Sequence, residues 1–397
     1  MFSSLNQIAA ITVANLRTLP SRIGVSLVIV VGLAGVVAVL TSLMAMSNGL
    51  AATLQTTGKQ DRTVMLRASS ETELNSILER RDIDIAKRAP GIAKDAAGEP
   101  IASAELIIIT ELLPKGQTKG GANVTLRGVE QMAFTLRPEV RIVAGDRFRP
   151  GLREAIVGKA AQSQFSGVEL GATVRFRGAD WKIVGVFESG DAHESELWVD
   201  IETAQSSFGR PNIYSTLVAQ LQSEGDFDVM KSALLSDPRM KIELTRERAY
   251  YSAQSDQSTK AIRILTTIIS IIMGLGATFS ALNTMYSAVS TRTKEIATLR
   301  AIGFGGVPVM VSVLAESMLL ALIGGVLGAL IAYLMFNGYT INTLSQASFT
   351  QIAFSFVVSP QLVATGLILS LCIGFFGGLL PAFSAARTNI PTALRAG

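Results

Sequence analysis

Charge is spread along this chain in a way that few folds can accept. From Ile23 to Gly58 there is no charged residue, from Ile264 to Ser290 there is none, and from Ala301 to Ala386 only Glu316 interrupts. About 20 apolar residues cross the hydrocarbon of a bilayer as a helix. The first two stretches therefore hold one span each, and the third is long enough for two. Soluble domains carry roughly a quarter of their residues as charges, whereas here 17% are charged and mean hydropathy is +0.40. The chain is an integral membrane protein by this reading. A cleaved leader is the rival reading of the first run, but a leader's apolar core is about 7 to 15 residues and this run is far longer.

The spans are placed at 23–48, 262–290, 307–336 and 361–384. Basic residues collect at one end of all four, with Arg17 and Arg22 before the first, Arg292, Lys294 and Arg300 after the second, and Arg387 and Arg395 after the fourth. Positive charge beside spans marks the cytoplasmic side, so both termini are expected there. Residues 1–22 read as an interfacial helix carrying Leu5, Ile8, Ile11 and Leu16, and 385–397 as a cytoplasmic tail. The uncharged loop 337–360 is short and external, and residues 49–261 lie outside the cytoplasm.

That large insertion has the composition of a soluble domain. Strand-like runs occur at Thr63–Arg67, Ala104–Leu113, Val124–Val129, Thr173–Val184, Glu196–Val199, Ile213–Leu221 and Met240–Leu244. Helical patterns cover Glu73–Arg88 and Phe227–Leu235, and the polar helix Tyr250–Lys260 leads straight into the second span. Two lobes are expected, the smaller and more β-rich one at about 142–209. The predicted fold class is an α-helical membrane domain of four transmembrane helices with a large α+β extracytoplasmic domain inserted between helices 1 and 2.

Several chemistries are excluded or disfavoured. No G-x-x-x-x-G-K-[ST] occurs, so these residues cannot cradle ATP phosphates. A single cysteine, Cys372, and a single histidine, His193, cannot build a His/Cys metal site. No catalytic set stands out, and the basic residues follow topology rather than a nucleic-acid-binding face. His193 lies in the acidic run Gly190–Glu196 and is expected in a solvated loop, and Arg80, Arg81, Lys87 and Arg88 on one solvated helix face.

The charged turn Thr291–Phe304 is the first candidate site. Ile296, Leu299 and Ile302 recur at helical spacing, Gly303, Gly305 and Gly306 end the pattern, and Pro308 forbids its simple continuation. Taken alone, its charges are ordinary topology-setting, snorkelling residues. Glu316 falls about eight residues past Pro308, hence roughly 12 Å along a helix, and a carboxylate at that depth needs a partner. Arg300 and Arg17 are the expected ones; a proton relay is disfavoured because the spans offer no second acid. Gly324 with Gly328, and Gly374 with Gly378, are small-xxx-small spacings that fit either packing within the chain or a dimer seam.

Local patterns then carry a resemblance. They are Thr291-Arg-Thr-Lys-Glu-Ile-Ala-Thr-Leu-Arg-Ala-Ile-Gly-Phe304; Glu316-Ser317 followed by Leu319-Leu320 and Gly324-Gly325-Val-Leu-Gly328; and Leu380-Pro-Ala382, Ala385-Ala386-Arg387 and Ile390-Pro-Thr-Ala-Leu-Arg395. With one span, a large insertion and three further spans, the chain resembles the MacB/FtsX-like permeases of ABC transporters, the type VII or mechanotransmission class. Phe383-Ser384 departs from relatives that carry a basic residue after Pro-Ala. The resemblance implies a non-catalytic permease subunit of a bacterial inner membrane that pairs with a second permease, identical or paralogous. A separate ABC ATPase would bind ATP and magnesium. It assigns ATPase coupling to Thr293, Lys294, Glu295, Leu299, Arg300 and Gly303. Export with a periplasmic adaptor (a membrane fusion protein) and an outer-membrane channel is the leading expectation. The alternatives are an FtsX-like regulator of a cell-wall hydrolase and a permease for antimicrobial-peptide sensing or resistance.

Overall fold

A computed structural model describes residues 4–18, 23–344 and 350–395. The expected anchor Arg22 lies outside the described residues. The chain divides into a membrane unit, Met1–Asn48, Ala261–Tyr339 and Phe356–Gly397, and an outer unit, Gly49–Lys260 with Thr340–Ser355.

α1 (Ser4–Thr18) and α2 (Ile23–Thr57) come first. There follow β1 (Arg62–Arg67), β2 (Leu78–Glu79), α3 (Arg80–Ala86), β3 (Ala102–Leu112), β4 (Ala122–Val129), α4 (Ala133–Leu136) and β5 (Arg141–Gly145). Next are β6 (Glu154–Gly158), α5 (Lys159–Gln164), β7 (Thr173–Phe176), β8 (Ala179–Glu188), β9 (Glu196–Asp200) and α6 (Ile201–Ser207). β10 (Ile213–Tyr214), β11 (Thr216–Gln220), α7 (Asp226–Leu235) and β12 (Ile242–Arg246) lead into α8 (Glu247–Thr291) and α9 (Thr293–Ala301). α10 (Gly306–Phe336), β13 (Thr340–Leu344), β14 (Gln351–Ser355), α11 (Pro360–Ala386) and α12 (Ile390–Arg395) complete the order.

Among the described residues, ten strands of the outer unit form one sheet in the order β12-β1-β11-β3-β4-β9-β6-β8-β5, with β7 on β8. Both faces of its first part are buried, because alternate residues point to opposite sides. On β1, Met65 joins a core with Leu106, Leu126 and Leu217, while Val64 and Leu66 join Val218, Tyr250 and Tyr251. The first turns of α8 thus cover one face of the sheet. A second aromatic cluster gathers Phe134, Phe148, Phe187 and Trp198.

Two local expectations are corrected and a third gains detail. Glu73–Arg88 is not one helix: a 3-10 turn at Glu73–Asn75 precedes β2 and α3. Ser76 explains this, since its hydroxyl accepts from the Arg67 N–H at 2.9 Å while Leu78 and Glu79 pair with Tyr214 and Ile213. The strand read over Ile213–Leu221 breaks at Ser215, whose hydroxyl accepts from the Ile107 N–H at 3.0 Å. The stretch 337–360 contains the hairpin β13–β14, and Ala353 N–H donates to Ser195 Oγ at 2.9 Å within the outer unit.

Four helices, Ser26–Thr57, Glu247–Thr291, Gly306–Phe336 and Pro360–Ala386, are long and apolar enough to cross a membrane among the described residues. Their shared core contains Leu33, Met285, Val313, Leu320 and Ile373. α10 is the central plank. A Cβ on its Gly324 would stand 2.9 Å from Leu33 Cβ and Val30 O of α2, and one on Gly328 would stand 2.9 Å from Val37 Cβ. On the other side, Gly378 of α11 meets Ser317, Gly374 meets Ala321, and Ser317 Oγ donates to Gly374 O at 2.7 Å. All four glycines therefore sit on seams within the chain. Gly32 and Gly35 have open space beside them. α1 lays Ile11 into the same core, and Asn15 Nδ2 donates to Ser312 Oγ at 2.7 Å.

Candidate functional site

α8 ends at Thr291, and Arg292, with φ −104° and ψ 7°, breaks the ladder for one residue before α9 resumes. α9 is thus joined to the membrane helix through a kinked junction at Arg292. Ile296 and Ala297 are buried, Leu299 and Arg300 half-buried, and Lys294 and Glu295 exposed. Ile302 does not extend the buried stripe; it stands 69% exposed past the end of the helix, and Val307, early in α10, is exposed as well. Gly303 has φ +105°, where a side chain would be strained, and so stops α9. Arg300 Nη1 donates to Thr388 O at 2.9 Å and ties α9 to the chain ahead of α12. Thr293 Oγ1 donates back to Ser290 O at 2.8 Å across the junction. α9 exposes Lys294, Glu295, Thr298 and Ala301 to the surface, with Ile302 exposed just past its end.

Glu316 is 3% exposed and pairs with Arg292. The expected partners were Arg300 and Arg17, and the geometry explains the difference. Arg300 lies a full helix further along and is held by Thr388 O, and Arg17 is exposed. Arg292 stands at the kink, where its side chain reaches α10 directly.

The outer unit holds a second polar assembly. Arg127 on β4 donates to Glu73 at 3.1 Å, to Glu105 on β3 at 2.8 Å and to Glu196 on β9 at 2.8 Å. Arg137, just after α4, pairs with the same Glu105 at 2.5 Å and with Glu247 at 3.8 Å. Arg62 on β1 continues the chain to Glu247 at 3.6 Å and to Glu139 at 2.5 Å. Glu247 is the first residue of α8, and its Oε2 also accepts from the Lys59 N–H at 3.1 Å. Three residues on, Tyr250 Oη accepts from the Glu73 N–H at 3.0 Å. The start of α8 is therefore clamped into the outer unit by a continuous buried network.

Electrostatics differ along it. Burial opposes the charge of Glu105, but Arg137 and Arg127 outweigh it and hold the carboxyl at about 2. Glu247 goes the other way: burial pushes its pKa up despite Arg137 and Arg62. His193, expected in solvent, is buried edge-on to Trp198 at 5.7 Å and Tyr251 at 6.0 Å. Burial disfavours its charged form, yet Asp191 and Glu196 raise its pKa overall. Of the basic pairs expected in solvent, Lys87 instead bonds Glu130 at 2.7 Å. Sequence reasoning missed the network, although one signal was available: Arg127 is the lone charge of β4, and Glu105 stands directly before the apolar run Leu106–Ile109.

Comparison with known proteins places these features. Residues 26–236 match the MacB-like periplasmic core domain and residues 267–390 match the FtsX-like permease C-terminal domain. The macrolide export ATP-binding/permease protein MacB of Campylobacter jejuni is 28% identical over 242 residues, covering 57% of this chain and 35% of that protein. The ABC transporter permease YknZ of Bacillus subtilis is 28% identical over 269 residues, covering 64% of each. The solved periplasmic region of MacB from Actinobacillus actinomycetemcomitans aligns at 13% identity with a TM-score of 0.37, covering 53% of this chain and 95% of that one. The matches thus span from about a third to under two thirds of these curated relatives' length. With the two domain models falling on the inserted domain and on the last three spans, the chain belongs to the MacB/FtsX-like family of ABC transporter permeases.

Proposed function

We propose that this chain couples ATP hydrolysis by an ABC ATPase to motion of its outer unit, and that the motion drives export. One observation carries the reading: α8 is a single helix from Glu247 to Thr291. At one end it brings Glu247, Tyr250 and Tyr251 to the buried core of the outer unit, and at the other it meets α9. A helix held at both ends can transmit a tilt, and small shifts at one end are passed on because packed cores deform little. In the reading, the ATPase docks on the face of Lys294, Glu295 and Ile302. Buried apolar area supplies affinity there, and the two charges set register. Thr293 and Gly303 set the length and ends of α9, Leu299 packs it down, and Arg300 fixes it to Thr388 O. The permease acts as a pair with a second permease, identical or paralogous, in a bacterial inner membrane with both termini inside. A periplasmic adaptor and an outer-membrane channel complete the path for macrolide-like or peptide cargo.

The test exchanges the two exposed charges, Lys294→Glu with Glu295→Lys, which leaves net charge and the Arg300 tether intact. Membrane insertion should be normal, and stimulation of ATP hydrolysis in the reconstituted complex should fall at least about tenfold, the effect of 1.4 kcal/mol lost from a docking contact. Unchanged stimulation would refute docking on this face.

A further inference from the structure

The Arg292–Glu316 pair has a second property that coupling does not use. Both side chains are deeply buried, at 5% and 3% exposure, yet each keeps an atom without a hydrogen-bond partner among the described residues: Arg292 Nε and Glu316 Oε2. Unmet polar groups in a membrane helix bundle are costly. Two voids border the pair. The smaller, 20 Å³, is the size of about one water and lies toward Asn15 and Glu295. The larger, 400 Å³, is lined by Ile23, Gly24, Ile29, Met285 and Leu320 as well as by Arg292 and Glu316. Its volume falls in the range of about 300 to 1,000 Å³ typical of sites for small ligands. Ile23 at its edge is 68% exposed, so the groove opens on the outside of the membrane unit, at the start of α2 and the end of α8.

The geometry points to a site for one membrane lipid, a phospholipid whose headgroup carries both a phosphate and a primary ammonium. The ion pair leaves over one donor and one acceptor, so its complement must offer an anion and a cation with N–H groups together. A phosphate oxygen accepts from the Arg292 guanidinium, and the ammonium donates to the Glu316 carboxylate. Acyl carbons cover Ile29, Met285 and Leu320. A net-anionic headgroup would bring an unopposed charge beside Glu316. A choline headgroup has no N–H to give. Basic pockets between membrane helices are known to take lipid headgroups; here the acid in the pocket adds selectivity. The location agrees, because Arg292 lies at the charged end of a span, where headgroups lie. The site stands whether or not α9 docks an ATPase.

The experiment uses the full chain, purified in mild detergent and exchanged into mixed lipid containing phosphatidylethanolamine, phosphatidylglycerol and phosphatidylcholine. Retained lipid is then read by native mass spectrometry. The wild type should retain phosphatidylethanolamine over the other two by about tenfold or more, the ratio that 1.4 kcal/mol produces. Leu320→Trp fills the groove and should abolish retention, while Leu330→Trp, on an exposed part of the same helix, should not. Glu316→Gln keeps the shape but leaves Arg292 unopposed, and should switch preference toward phosphatidylglycerol. Equal retention of the three lipids would overturn the assignment and leave water in the smaller void as the partner of both atoms. Preference unchanged in both Leu320→Trp and Glu316→Gln would overturn it as well.

Discussion

Replacing Glu105 by Gln and Glu247 by Gln should have opposite consequences, although the two carboxylates share Arg137. Glu105 is held at about 2 against an ordinary value of 4.5. Each decade of acidity is worth about 1.4 kcal/mol, so its charge contributes about 3 kcal/mol to the folded outer unit at neutral pH. Breaking a buried pair by removing one partner costs about 3 to 5 kcal/mol, and Gln retains one acceptor for Arg137, so the lower figure applies. For a domain of this size each kcal/mol moves the midpoint by about 2 to 4 °C, giving a loss of about 6 to 12 °C. Glu247 has its pKa raised by burial, and its Oε1 has no hydrogen-bond partner among the described residues. Its stabilisation is present below the unfolded pKa and is lost as pH rises through the folded one. Gln removes that loss, so Glu247→Gln should be neutral at mildly acidic pH and stabilising at alkaline pH. The assay is direct, because the chain's two tryptophans, Trp181 and Trp198, are both fully buried in the outer unit. Their emission during denaturation of the full chain in detergent reports that unit alone. The contribution of Glu105 is present above pH 4.5 and is lost as pH falls through about 2, so acid should unfold the wild type more steeply than Glu105→Gln. An unaltered midpoint in Glu105→Gln, or an equal loss in Glu247→Gln, would refute the assignment of roles.

His193 should give the outer unit an alkaline dependence. Its pKa is raised in the fold, so its contribution is present below 6.5 and is lost as pH rises through the folded value; His193→Gln should flatten that limb of the same tryptophan titration. On the membrane side, Gly328→Leu would drive a side chain into Val37 and Ala34 and should cost at least about 1 to 3 kcal/mol as an overpacked core does. Gly35→Leu, facing open space, should be tolerated, and the monodisperse fraction after heating separates the two.

The spans and the inserted domain were legible because both follow from runs of residue type: a span needs about 20 residues free of charge, and Ile264 to Ser290 supplies them. The pairing of Glu316 was not legible for a different reason. Arg17, Arg292 and Arg300 are equivalent in sequence, and only the kink at Arg292 and the Thr388 tether on Arg300 distinguish them. One helix error and one strand error arose where a hydroxyl, Ser76 in the first and Ser215 in the second, took a backbone N–H and overrode periodicity.

The outer network was hidden for a topological reason. Glu105 and Arg127 are neighbours across the β3–β4 ladder, where Ile107 faces Arg127, and each is a charge set against apolar neighbours in its strand. Their other partners come from Glu73, Arg137, Glu196 and Glu247, which meet only once β4 pairs with β9 and α8 closes over the sheet. That dispersal has a consequence for how α8 is seated. A buried charge is tolerated only when its partners are present, so the root of α8 cannot seat until distant parts of the outer unit have folded around it. Slipping Glu247 free would cost Arg62 and Arg137 one of their two carboxylates each, leaving Glu139 with the first and Glu105 with the second. The root of α8 is thus held in the outer unit by the same carboxylate whose charge burial disfavours.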